Sequence, residues 1–286
     1  MLHSPLFSLL LIFPASVSAV TLYDSLNPES QDNSLRLEYS SSLENSKNLY
    51  GQLDLVIATN NHLLLGSGKS DVLTSTNRLQ LYSFMLGYNS PYGEAFEFGL
   101  TYDYWGNTNE LWTNTLSMPL RWNIRDWSVA LQPQFMRINL YSRGFNKPGH
   151  LHHSNSQSLS GAIRYYGFNR WELGIAGSRY RYETDPGKLN NPLARFLFSD
   201  VTLVLSYGFP RSRFAVNIAY NFDTWHLGLK QEQTISAVDS NRLVITSLNT
   251  SFYLTDNFSL SIESGYIDIE NSEPYDYLTL GMQVFF

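Results

Sequence analysis

The stretch Phe96-Glu97-Phe98-Gly99-Leu100-Thr101-Tyr102-Asp103-Tyr104 (FEFGLTYDY, 96–104) decides the fold. In an extended chain successive side chains point to opposite faces, so five large apolar or aromatic residues share one side. Glu97, Gly99, Thr101 and Asp103 share the other. Helical spacing would scatter the same residues around an axis. The pattern recurs outward along the chain. Residues 111–124 (LWTNTLSMPLRWNI) place Trp112, Leu116, Met118, Leu120, Trp122 and Ile124 on one face together with Asn114. Phe214, Val216, Ile218, Tyr220 and Phe222 alternate with Arg213, Ala215, Asn217, Ala219 and Asn221. Phe258, Leu260 and Ile262 alternate with Ser259, Ser261 and Glu263.

Length then separates two solvents. Strands of water-soluble sheets run to about 5–6 residues, whereas these alternating runs reach about 10–15, enough to cross a membrane at a tilt. Connections also alternate in kind. Tight turns at Asn60-Asn61, Arg125-Asp126, Asn169-Arg170 and Asp256-Asn257 are interleaved with longer polar stretches, chiefly 142–157 and 183–194. Short turns on one side and longer loops on the other describe an outer-membrane barrel. Trp and Tyr at strand ends, among them Trp105, Trp122, Trp127, Trp171 and Trp225, suit the headgroup zone. A soluble β-sandwich with an aromatic core is the alternative; strand length and loop asymmetry both count against it.

The expected strands lie near 34–42, 47–58, 62–68, 77–89, 94–105, 110–124, 127–141, 156–168, 170–183, 194–209, 212–235, 241–255, 257–270 and 276–286. That makes an all-β, antiparallel, up-and-down transmembrane barrel of about 14 strands, with 12 or 16 as alternatives. Within 212–235 the apolar parity switches between Phe222 and Trp225, which reads as a bulge or an extra turn. Bulge-like switches also occur near Phe135-Met136 and Ser178-Arg179.

Composition narrows the function classes. The 286 residues are 43% hydrophobic and 15% aromatic, and mean hydropathy is slightly negative at −0.22. With no cysteine there is no disulfide, thiolate nucleophile or cysteine-ligated metal. A net charge of −6 without a Lys/Arg cluster argues against nucleic acid. Residues 1–19 read as an export signal: an apolar centre from Leu6 to Phe13, Pro14, then small residues through Ala19. Residues 20–33 are then a short periplasmic lead-in and 34–286 the barrel, too little chain for a plug domain.

The ending Tyr277-Leu-Thr-Leu-Gly-Met-Gln-Val-Phe-Phe286 places apolar residues at Leu278, Leu280, Met282 and Val284 before Phe286. This resembles the terminal β-signal of Gram-negative outer-membrane proteins, a porin-like superfamily. The resemblance implies the bacterial outer membrane as location, lipid and lipopolysaccharide as surroundings, and recognition of the last strand by the barrel-assembly machinery.

The face opposite the apolar one holds Glu97, Asp103, Arg121, Gln132, Gln134, Arg164, Glu172, Asp200 and Glu263. These candidate lumen residues fit a hydrated interior for passive passage of small hydrophilic solutes, without cofactor or metal. Two alternatives stand beside this channel. One is a structural or surface-interaction barrel whose charges pair and fill the interior. The other is a lipid hydrolase: His152-x-Ser154-Asn155 resembles the His-x-Ser-Asn stretch of outer-membrane phospholipases and lipid A deacylases, which implies His152 as base and Ser154 as nucleophile. No residue matches an orienting third group, and Ser156 stands where those enzymes commonly have Gly.

Overall fold

The computed structural model describes residues 33–42, 47–58, 61–73, 78–92, 95–107, 111–144, 147–186, 209–237, 240–270 and 274–286. They form fifteen strand segments in one antiparallel sheet. In chain order these are β1 (Ser34–Ser42), β2 (Lys47–Ala58), β3 (Asn61–Leu73), β4 (Arg78–Tyr92) and β5 (Phe96–Gly106). There follow β6 (Leu111–Ser117), β7 (Leu120–Ile124), β8 (Trp127–Gly144), β9 (Lys147–Phe168) and β10 (Trp171–Tyr182). The last five are β11 (Pro210–Asn221), β12 (Trp225–Ser236), β13 (Arg242–Thr255), β14 (Phe258–Ile269) and β15 (Tyr275–Phe285). Among the described residues no helix is long and apolar enough to span a membrane.

Apart from β6 and β7, consecutive strands pair with each other, and β1 pairs with β15, which closes the sheet. β6 and β7 are two halves of one crossing. Both pair with β5 and with β8, and the register runs on unbroken from Thr101↔Ser117 to Phe98↔Leu120. Prolines cause the interruption. Gly99 N donates to Pro119 O and Met118 N to Pro133 O, at 2.8 and 3.0 Å, but neither proline has an N–H to return the bond. The barrel therefore has 14 crossings.

The expected number arises by a different route in one sector. The single strand expected over 212–235 is two: β11 ends at Asn221, the chain turns, and β12 starts at Trp225. Phe222 N donates to Trp225 O across that turn, so the parity switch marks a hairpin and not a bulge. The strand expected over 194–209 falls outside the described residues except for Phe209, and β10 pairs directly with β11. The loop expected over 142–157 is also corrected. β8 and β9 run on as one tall hairpin, paired continuously from Trp127↔Tyr165 to Ser142↔His150. The register stays even through Phe135-Met136 and Ser178-Arg179, where bulges were expected.

One face of the ring carries the exposed apolar side chains: Leu100, Leu116, Phe135, Leu159, Ile175, Phe214, Leu229, Leu248, Leu260 and Leu280 among them. A closed sheet has one outside, and this is it; in lipid such residues meet hydrocarbon in place of water. Leu278, Leu280, Met282 and Val284 belong to this face, as their register with Ser264, Ile262, Leu260 and Phe258 requires. Asn33, the carboxyl-terminal Phe286 and the shortest described turns share one rim, which in such barrels is the periplasmic one. Arg125 and Arg170 adopt positive φ (53° and 66°) to make two of those turns.

Along that rim, outward aromatic rings touch in sequence. Phe96 meets Trp122, Trp127 meets Tyr165, and Tyr165 meets Phe168, at centroid separations of 5.1, 4.5 and 5.1 Å. Trp171, Tyr220, Phe222, Trp225 and Phe252 continue the row. An apolar ring with one polar atom is at home between headgroups and hydrocarbon, so this belt marks the membrane's periplasmic boundary.

Candidate functional site: the barrel interior

Strand parity fixes which side chains point inward. Glu97, Asp103, Arg121, Gln132, Gln134, Arg164, Glu172 and Glu263 all occupy the inward face; Asp200 lies outside the described residues. The structure brings several of them together. Arg121 pairs with Glu97 at 3.4 Å, and Asn123 donates to the same carboxylate at 3.2 Å. Arg164 pairs with Glu172 at 2.9 Å and with the Tyr166 hydroxyl at 3.2 Å. Gln134 donates to Ser117 Oγ and accepts from Ser158. Glu263 accepts from Tyr277.

Sequence reasoning missed other inward groups. Arg36 and Glu38 form an ion pair on β1, Lys230 and Glu232 another on β12, and His62 meets Asp54 at 2.9 Å between β3 and β2. Each lies at alternate spacing in its strand, so the signal was present, though weak beside Ser-, Gly- and Asn-rich neighbours. Among the described inward residues, seven carboxylates (Glu38, Asp54, Glu97, Asp103, Glu172, Glu232, Glu263) face five fixed cations (Arg36, Arg121, Arg164, Arg213, Lys230). They are not mixed evenly. The wall from β13 through β15 and β1 to β5 holds five of the carboxylates but only Arg36. The wall from β6 to β12 holds the other four cations with Glu172 and Glu232. Charges on facing walls set a field across the interior, stronger than in bulk water because the surroundings are less polar.

Bulky inward rings sit over glycines. The Tyr277 ring lies where a Cβ on Gly265 would stand, and Tyr50 covers Gly66 and Gly68 in the same manner. These close approaches need a missing side chain.

The inward face changes character toward the extracellular end. There Leu81, Trp105, Ile138, Leu243, Ile267 and Tyr275 are buried on β4, β5, β8, β13, β14 and β15. They make an apolar patch above the charged zone on these strands, whereas β1, β2, β3, β9 and β12 present buried Ser40, Asn48, Ser70, Ser154 and Thr234 at the same end. Its sequence sign is a loss of alternation: Leu243-Val244-Ile245 is apolar on both faces.

Ser154 lies inward on β9 at the extracellular end, opposite Ile138, and His152 holds the register position opposite Leu140. Ser154 is 6% exposed, and its Oγ has no hydrogen-bond partner among the described residues. The segment is a strand directed at the interior, in contrast to an outer-rim site facing lipid. Among the described residues no cluster of His, Asp or Glu has the makings of a metal site.

No protein-family model matches the chain, and no curated protein matches it. Solved structures do. The CymD monoaromatic hydrocarbon channel aligns over 94% of this chain and 93% of its own, at 9% identity and a TM-score of 0.57. A loop-deleted OmpT, an outer membrane protein of Vibrio cholerae, aligns over 89% and 97% at 10% identity, with a TM-score of 0.49. The KdgM porin aligns over 88% and 99% at 10% identity, with a TM-score of 0.42. A closed 14-crossing sheet, an apolar outer face and an aromatic belt make the chain a membrane-spanning β-barrel, the fold it shares with the CymD channel.

Proposed function

We propose that the protein is a passive channel for small hydrophilic solutes, with a modest preference for cations. The observation that carries this reading is the inward charged zone, with its carboxylates concentrated on one wall and its cations on the other. A solid interior of this width needs large apolar side chains to fill it: 14 strands about 4.8 Å apart enclose a ring of roughly 13 Å radius. The middle and periplasmic parts of the wall present mainly Ser, Gly, Ala, Asn, Gln and paired charges, with Tyr50, Leu64 and Tyr277 as the bulkier groups on one side. The relative of this fold that bears the name of a channel supports conduction in general, and the polar wall argues for polar cargo.

The buried apolar patch at the extracellular end favours a second reading, a barrel closed at its outer end, because apolar constrictions gate by expelling water. Liposome swelling separates the two. Vesicles holding the folded protein are expected to swell in isosmotic solutions of small neutral sugars, with a rate that falls as solute size grows. Folded barrels that admit no solute would overturn the channel and favour the closed interior.

A further inference from the structure

We infer that the outward face of β8–β10, at its extracellular end, is a docking site for a phosphorylated glycolipid of the outer leaflet. Three arginines stand there. Arg137 is in register with Asn114 and Asn155, Arg179 with Leu159 and Ser212, and Arg181 with Gln157. All three are exposed and none has a hydrogen-bond or ion-pair partner among the described residues. The nearby carboxylate, Glu183, already accepts from Asn155 at 2.8 Å. Elsewhere on this rim Lys69 has a carboxylate within reach, Asp71 at 3.9 Å, and Glu270 accepts from the Arg242 main-chain N–H.

Depth identifies the occupant. From Trp127 in the periplasmic belt, β8 climbs to Arg137 by roughly 25 Å, at about 3.3 Å per residue and a tilt of about 40°; that is the height of the apolar band of such barrels. Arg137 and Arg181 therefore lie where headgroup phosphates begin, and Arg179 just below. Guanidinium forks match phosphate oxygens in geometry as well as charge. Beneath them the wall offers room for a chain. Gly161 and Gly177 face each other across β9 and β10, and a Cβ on either meets nothing closer than 3.5 Å. Leu131 and Phe214 flank that bare strip on the neighbouring strands. A phosphate grip above an apolar groove fits one amphiphile, with its headgroup at the arginines and an acyl chain along the glycines.

The test uses the full-length folded barrel in detergent and native mass spectrometry with bisphosphorylated lipid A and its dephosphorylated form. Wild type is expected to retain the phosphorylated lipid at least tenfold better than the dephosphorylated one. Arg137→Gln/Arg179→Gln/Arg181→Gln is expected to lose that preference, while Lys69→Gln/Arg242→Gln keeps it. Gly161→Leu, with the arginines intact, is expected to weaken retention several-fold. Equal retention of both lipids by wild type overturns the site without recourse to any variant. So does displacement by inorganic phosphate alone, which would make it a small-anion site. The channel reading is independent of either result, since it is read by permeation.

Discussion

Neighbouring residues in one strand face different solvents, and the cost of a charge differs accordingly. Leu100 is half-exposed on the outer wall near mid-membrane, whereas Gln132 points inward. Leu100→Arg is expected to destabilise the barrel in lipid vesicles by about 2–4 kcal/mol, and Gln132→Lys by less than about 0.5 kcal/mol. Urea-induced unfolding from vesicles measures both; equal penalties would contradict the assigned faces. At Gly265 the objection to a side chain is steric, because the Tyr277 ring occupies its place. Gly265→Val is expected to cost roughly 1–3 kcal/mol by the same measurement, and Tyr277→Ala in the same chain to recover part of it. The inward placement of Glu97 and Asp103 was legible in FEFGLTYDY, because parity alone fixes it. The partner of Glu97 was not, since Arg121 is contributed by another strand and register depends on turns that parity does not specify. Asn114 looked out of place among apolar residues; the structure shows it accepting from the Tyr102 hydroxyl at 2.7 Å on the outer wall.

At the scale of the strand, the weak element is the crossing made by β6 and β7. Two adjacent ladder steps each lack one bond, because Pro119 and Pro133 cannot donate to Gly99 and Met118. A carbonyl left unpaired away from water is costly. Pro119→Ala and Pro133→Ala are each expected to raise the unfolding midpoint, by roughly 0.5–1.5 kcal/mol in stability, as the missing N–H returns. Amide hydrogen exchange of Gly99 and Met118 is expected to slow in both variants; unchanged exchange would contradict this account of the break. Most crossings could be read from alternation. The tall β8–β9 hairpin could not, because its upper part, Lys147 to Gln157, is rich in His, Ser and Asn. That composition signals a loop when water is the only solvent considered. Above the membrane, a strand can be polar on both faces and still be held by its ladder. At the β11–β12 turn the parity switch left a bulge and an extra turn both open: Asn221 and Asp223 are turn formers, but Phe222 between them and Trp225 after them carry on the aromatic pattern of a strand.

For the whole molecule, closure is what the carboxyl terminus accomplishes. β15 lies against β1 from Ser34↔Phe285 to Ser42↔Tyr277, and Phe286 N donates to Asn33 O at 2.9 Å. Ser40–Thr279 and Gln283–Ser34 hydrogen bonds tie the same seam from the inside. The barrel was legible because a lipid solvent imposes one rule on every strand. The use of its interior was less so, because charge segregation and the buried apolar patch emerge only when distant strands are set around one ring. That segregation makes the central claim measurable. In planar bilayers with a potassium chloride gradient, the refolded protein is expected to give discrete conductance steps and a reversal potential on the cation side. Glu38→Gln/Asp103→Asn/Glu263→Gln is expected to move that potential toward the anion side. Inserted, folded barrels that give no steps at any salt concentration or voltage would contradict the channel.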